Sequence, residues 1–270
     1  MVTHDSYRVQ PGASFSLEAI DPDDTGDIRD KAKAKSLLQA ERKRIAALQE
    51  RLYAEARQSL LVILQATDTG GKDGTIRHVF KGVNPQGVRV WSFREPSAEE
   101  LAHDFLWRYH QRTPPAGFIT IFNRSHYEEV LVVRVKGLVP ASAWTPRYGA
   151  INDFERMLTA NGTRILKFFL HISPDEQRRR LQARLDNPDK RWKFSPGDLQ
   201  DRELWDDYQR AYEDAIARCS TPWAPWHVVP ANHKWYRNLV VARTVADTLE
   251  AMAPAFPAPA DLPETLTIPS

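Results

Sequence analysis

The stretch Gln65-Ala66-Thr67-Asp68-Thr69-Gly70-Gly71-Lys72-Asp73-Gly74-Thr75 combines three glycines, a lysine and two aspartates. Glycines let backbone N–H groups turn inward on an anion. Lys72 adds a fixed positive charge, and a helix beginning near Gly71 or Lys72 adds its positive end. The spacing approximates the phosphate-loop pattern G-x-x-x-x-G-K-[ST], with Ala66 in place of the first glycine and Asp73 in place of the hydroxyl. Gly70, Gly71, Lys72, Gly74 and Thr75 are the candidate phosphate-binding residues. A bare carboxylate among phosphate oxygens is repelled, so Asp68 either shares a cation with the phosphate or faces away. The expectation is Mg²⁺ on Asp68, with Mn²⁺ as the alternative. Such an ion would also spread the charge that develops in phosphoryl transfer. Asp73 is either an outer-sphere ligand or a first-turn helix acid that favours the dipole.

A second group follows in Ile121-Phe122-Asn123-Arg124-Ser125-His126-Tyr127-Glu128-Glu129. Where a neighbouring strand in a phosphate-loop protein often ends in a metal-reaching Asp, this chain has Asn123, which offers oxygen without charge. Glu128 or Glu129 could supply the carboxylate; Glu128 is favoured, against the alternative of a plain helix acid. Arg124, just past a strand end, is a natural phosphate clamp. Arg94 in Ser92-Phe93-Arg94-Glu95-Pro96 ends another strand and could hold the phosphate of an accepting nucleotide, or pair with Glu95 or Glu99. The segment from Gln177 to Lys193 carries seven cations and is followed by Pro196-Gly197. As a helix with a hinge it could close over an anionic chain and set Arg178, Arg191 and Lys193 on the phosphates; the alternative is a solvated basic face. Phe93, Trp107 and the aromatics near residues 232–236 are candidates for stacking on a base.

These residues need strands and helices in alternation. Ser59 to Ala66 is a short, continuously apolar run ending in turn residues, which predicts a strand covered on both faces. Similar runs lie at Val88 to Phe93, Gly117 to Phe122, Ile165 to Ile172 and Trp226 to Pro230. Helices are predicted over Asp27 to Arg57, Glu99 to Tyr109 behind the capping box Ser97-x-x-Glu100, Asp153 to Thr159, Asp175 to Asp186, Arg202 to Arg218 and Trp235 to Met252. Five strands with helical crossovers predict an α/β three-layer sandwich with a parallel sheet. Residues 1–26 read as an N-terminal arm, 27–253 as the domain with a helical lid about 177–202, and 254–270 as a Pro-rich tail.

With 37 Lys and Arg against 35 Asp and Glu, whole-chain charge gives no argument for nucleic acid. One cysteine, Cys219, excludes an internal disulfide and a cysteine-rich zinc site and suits a reducing compartment. No apolar run reaches the roughly 18 to 20 residues of a membrane span, so the expectation is a soluble cytoplasmic protein.

The blocks DTGGKDGTI, GVNPQGV, SFREPSAEELAHDFLWRYH, IFNRSHYEEVLV and RWKFSPGDLQDRELWDDY, in this order, resemble the second family of polyphosphate kinases, class III, over roughly Ala32 to Met252. The resemblance implies a phosphate-loop kinase fold related to thymidylate kinase, with a mobile helical lid. It implies reversible, Mg²⁺-dependent transfer between inorganic polyphosphate and nucleotides, with both AMP and ADP as acceptors. Adenine nucleotides are the expected partners, guanine nucleotides the alternative, and a homodimer or homotetramer the implied assembly. Asp68 and Lys72 match the positions holding metal and phosphate, and Arg124 matches the arginine after the third strand. Asn123 departs from the Asp of other classes and is similar to class III, where the following glutamate is implicated in nucleotide use. Two other functions remain open: an ATP-dependent nucleoside monophosphate kinase, and a noncatalytic polyphosphate-binding module, which the paired acids Asp68 and Glu128 disfavour.

Overall fold

The computed structural model describes residues 7–258; the first six residues of the arm and residues 259–270 of the tail lie outside it. Five parallel strands form one sheet in the order β2-β3-β1-β4-β5, with β1 at Ser59–Gln65, β2 at Val88–Ser92, β3 at Ile119–Asn123, β4 at Thr163–His171 and β5 at Trp226–Pro230. Every residue of β1 is buried. Its alternate side chains serve two different cores. Leu60, Val62 and Leu64 enter one and Leu61 and Ile63 the other, as the two-residue period of a strand requires.

The first core is roofed by α1 (Lys31–Glu55), α2 (Lys72–Val79) and a long final helix, Lys234–Met252. The second is closed by α3 (Arg147–Ala160) and by Trp205–Cys219. Between them in sequence lie α4 (Pro174–Asp186) and α5 (Gly197–Glu203), which makes Trp205–Cys219 α6 and Lys234–Met252 α7. The result is helix, sheet, helix: the three layers expected of an all-parallel sheet.

The N-terminal arm is a working part of the sheet margin. The N–H of Val9 donates to the Trp226 carbonyl at 2.8 Å and that of Val228 to the Tyr7 carbonyl at 2.9 Å, and Val9 and Leu17 are buried. The outer edge of β5 is thereby covered. The opposite edge, β2, leaves Arg89 and Val90 exposed.

The helix expected over Glu99 to Tyr109 is instead two four-residue turns, Ala98–Leu101 and Trp107–His110. The capping box at Ser97 and Glu100 does form, but Asp104 accepts from the N–H of Leu106 at 2.9 Å. That local bond competes with the helix ladder and ends it. The helix expected from Arg202 likewise breaks at Leu204 into α5 and α6.

Beneath the sheet on the second face, fully buried Lys167 donates to Glu155 Oε2 at 2.5 Å, to the Tyr127 hydroxyl at 2.8 Å and to the Cys219 carbonyl at 2.7 Å. Burial alone would raise the Glu155 carboxyl, but the Lys167 ammonium and His126 outweigh it and hold it below the usual glutamate range. Breaking such a pair strands a charge, so Lys167→Met is expected to cost about 3–5 kcal/mol, read as a lower urea midpoint. An unchanged midpoint would remove the network from the account of stability.

Candidate active site

Two strand ends meet at the site because β1 and β3 are neighbours, with Leu64 beside Asn123 in register. The chain leaves β1 through Ala66 to Gly71 and enters α2 at Lys72. Gly71 has φ +104°, a conformation that suits glycine. At Gly70 an added Cβ would lie 2.4 Å from that of Ala66. The first-turn N–H groups of α2 have no intrahelical acceptor and are available to an anion. Thr75 is turned away from this opening: its hydroxyl is buried and donates to the Gly71 carbonyl at 3.1 Å.

Lys72 folds back across the loop and donates to the Ala66 carbonyl at 2.8 Å. Burial and the neighbouring Arg124 push its ammonium down to about 8, against the opposing pull of Asp68, Glu128 and Asp73. Arg124, itself at φ +63°, reaches Asp68 Oδ1 at 3.3 Å and Glu128 Oε2 at 3.9 Å. The charge of Glu128, opposed by burial and reinforced by Asp68, holds that guanidinium above its ordinary value. Asp68, Arg124 and Glu128 line one narrow cleft with Thr67, Gln177 and the aromatics Trp205, Tyr208 and Tyr212. Glu129 points elsewhere, to Arg147 at 2.6 Å.

Asn123 is committed to a neighbour as well. Its amide donates to Asp73 Oδ1 at 2.8 Å and to Ser92 Oγ at 3.4 Å. Asp73 in turn lies 3.3 Å from Lys193 Nζ. Burial raises the Asp73 carboxyl, but the Asn123 and Lys193 donors outweigh it and leave it lowered. Asp73 is thus the first-turn helix acid, one of the two readings of its position, and it also joins the phosphate loop to the end of β3 and to the basic segment.

The basic segment divides by helical phase. Arg179, Arg180, Arg184, Lys190 and Lys193 line a groove of about 890 Å³ together with Thr69, Gly71 and Gly74 of the loop. Arg178 faces solvent, 3.8 Å from Asp175, and Arg191 turns back to the Leu185 carbonyl at 2.6 Å. Of the three cations expected on the phosphates, only Lys193 faces the loop. Arg94 is exposed, with no carboxylate within 4 Å among the described residues; its carbonyl accepts from Arg108 at 3.0 Å. Phe93 and Tyr236 are core residues, and one face of Trp107 stacks on His103 at 4.0 Å.

Several residues at the site were not singled out by the sequence. The groove extends onto Lys31, Lys35 and Arg42 of α1 and onto Arg77, Lys234 and Arg237. Among the described residues, eleven Lys and Arg line it against one carboxylate, Glu176, which is bound to Arg179 and Arg180. The positions 31, 35 and 42 fall on one stripe of α1, a signal that a helical plot would have shown. Trp205, Tyr208 and Tyr212 fall on one face of α6 for the same reason. Thr67 and Thr69 each carry a buried hydroxyl with no partner among the described residues.

The sequence profile described as Polyphosphate kinase 2 matches residues 28–257. The chain belongs to the polyphosphate kinase 2 family. Among curated relatives of the kinase, an AMP/ADP-polyphosphate phosphotransferase of Meiothermus ruber is 58% identical over 263 residues, 97% of this chain and 98% of that protein. An ADP-polyphosphate phosphotransferase of Rhodopseudomonas palustris is 49% identical over 82% of this chain and 81% of its own length. The crystal structure of polyphosphate kinase 2 from Arthrobacter aurescens TC1 superposes with a TM-score of 0.91 at 48% identity, covering 95% of this chain and 92% of that one. The kinase is therefore an enzyme, a phosphotransferase of the phosphate-loop kinase fold. Among its described residues, no helix is long and apolar enough to cross a membrane.

Proposed function

We propose that this kinase transfers a phosphoryl group from inorganic polyphosphate to AMP and to ADP, forming ADP and ATP, in a reversible reaction of the class III type. The observation that carries the donor assignment is the basic groove that runs from the loop across α4 to α1. A triphosphate donor needs a short cradle. A channel lined by eleven cations fits a long polyanion, whose charge they neutralise along its length. The dual AMP/ADP specificity of the Meiothermus ruber relative, at 58% identity over nearly the whole chain, supports the acceptor assignment.

In this reading the loop N–H groups and Lys72 grip the transferring phosphate, and Arg124 neutralises its equatorial oxygens. Residues 177–202 act as a lid that brings Lys193 over the loop. Asp68 and Glu128 line one cleft beside the buried, unpartnered hydroxyl of Thr67, an all-oxygen set that fits a hard cation completed by phosphate oxygens and water. Asp68 would hold Mg²⁺, with Mn²⁺ as the alternative, and the ion would supply positive charge to offset the negative charge developing on the phosphates. Glu128 then stands on the acceptor side, where a nucleotide phosphate meets Arg124 and Arg94, and Tyr208 and Tyr212 wall the same cleft. These nucleotides fit a cytoplasmic enzyme, and a homodimer or homotetramer is the assembly to look for.

The test supplies AMP, long-chain polyphosphate and Mg²⁺ with no ATP at the start. Appearance of ADP and then ATP is the expected outcome. Turnover only after ATP is added would establish the ATP-dependent monophosphate kinase instead, and binding without turnover the noncatalytic module. Lys193 offers a gentler probe. Exposed ion pairs contribute about 0–1 kcal/mol, so Lys193→Ala should leave thermal stability unchanged. It should raise the KM for polyphosphate about three- to ten-fold, as loss of roughly one kcal/mol of binding predicts. An unaltered KM would take Lys193 off the donor path.

A further inference from the structure

Among the groove cations is a buried one to which the reading above gives no individual role. Arg237, in the first half of α7, is 2% exposed. Its Nη1 donates to the Gly70 carbonyl at 3.2 Å, and its Nε and Nη2 donate to Oδ1 of Asn238 at 3.2 and 2.8 Å. No carboxylate lies within 4 Å of it among the described residues. Burial, together with the like charge of Arg180, pulls the guanidinium down to about 9. Arg180 is nearly as buried and donates to the Thr69 and Gly70 carbonyls at 3.0 and 3.1 Å, but it has Glu176 as a counter-ion at 2.6 Å. Arg237 has none. A buried charge left without a partner disfavours the folded state, so packing alone is a poor reason to keep an arginine here.

The glycines explain how close it comes. A Cβ on Gly71 would lie 2.0 Å from Nη1 of Arg237, and one on Gly74 would lie 3.5 Å from Nη2. The missing side chain at Gly71 admits a guanidinium directly beneath the loop, while the Gly74 distance is an ordinary contact.

We propose that Arg237 is a positioning residue of the phosphate loop, holding the Gly70 carbonyl on the protein side so that the loop N–H groups face the donor, and meeting its missing counter-charge in the bound polyphosphate. The assignment rests on the phosphate-loop reading given above. Once phosphate occupies the loop, the field of Arg237 acts across a few ångströms of low-dielectric backbone, where a fixed charge counts for more than it would in water. Removing the charge therefore weakens the liganded state and relieves the empty one.

That asymmetry is the test. The thermal midpoints of wild type, Arg237→Met and Arg237→Lys are measured without ligand and with tripolyphosphate plus Mg²⁺, alongside KM for polyphosphate and for AMP. Arg237→Met is expected to melt at or above the wild-type temperature when empty, and to lose most of the tripolyphosphate-induced rise. Its KM for polyphosphate should increase about ten-fold, the scale of one lost charge interaction, with the KM for AMP changed less than about two-fold. Arg237→Lys, which keeps the charge, should recover part of the rise. A full tripolyphosphate rise in Arg237→Met overturns the assignment while leaving the loop reading intact; a wild type without any rise overturns both. If Arg237→Met fails to fold, Arg237→Lys decides: folding with tripolyphosphate response retained supports the role of the charge, and failure of both variants reduces Arg237 to a structural residue.

Discussion

Asp68→Asn is expected to lower turnover of AMP with polyphosphate by about 10³-fold, the scale on which loss of one transition-state charge contact acts. The substitution keeps the volume of the side chain and an oxygen for Arg124, now 3.3 Å from Asp68 Oδ1, so the cleft should survive it. What disappears is the negative charge that, in the proposed reading, would draw a hard cation to the phosphates. Initial rates across a Mg²⁺ titration check this: half-saturation should move to higher Mg²⁺ as the maximal rate falls. If turnover and its Mg²⁺ dependence were both unchanged, Asp68 would be no more than the partner of Arg124. A fall in rate at unchanged Mg²⁺ half-saturation would point to Arg124 misplaced rather than metal lost.

Lys72→Met should lower kcat/KM for polyphosphate by about 10³-fold, equivalent to roughly 4 kcal/mol of transition-state stabilisation. The native lysine also predicts a pH dependence. With its ammonium pushed down to about 8 in the empty site, Lys72 is charged below that pH and neutral above it. Polyphosphate binds the charged form, so kcat/KM should fall as pH rises through about 8. Bound phosphates raise the lysine again, and the decline in kcat should begin at a higher pH. Lys72→Arg stays cationic across this range and should lose the alkaline limb even if it is slower throughout. Stability of the empty protein follows the opposite sign: between about 8 and the ordinary 10.5 the unfolded chain holds more protons than the folded one, so stability increases with pH over that window. A kcat/KM flat to pH 10 would place the ammonium away from the donor.

How much of this was legible depends on whether the governing interaction is local. The strand at Trp226–Pro230 coincides with its expected bounds and β1 differs by one residue, because a buried strand writes its burial as continuous apolar sequence. The phosphate loop announces itself through glycines that only a tight turn requires. Glu128 could be preferred over Glu129, but nothing in the sequence tells of Arg147, which engages Glu129. The arginine run was visible, yet whether Arg178 or Arg179 faces the groove depends on the rotation of α4 about its axis. Arg237 lay furthest from view. It sits among Tyr236, Val240 and Val241 on the buried side of α7, and a cation on an apolar stripe was the one trace it left. Its partner, the Gly70 carbonyl, is 167 residues distant.

The strip of chain that caps the β5 margin has a practical corollary. A version trimmed to begin at residue 28, where the family match starts, would retain the phosphate loop and the groove cations from Lys31 onward and yet uncover a row of unpaired strand amides and carbonyls. Such rows recruit other molecules of the same kind. The shortened enzyme should turn over normally when dilute and clump when concentrated, making residues 7–27 the protein's own guard against self-association.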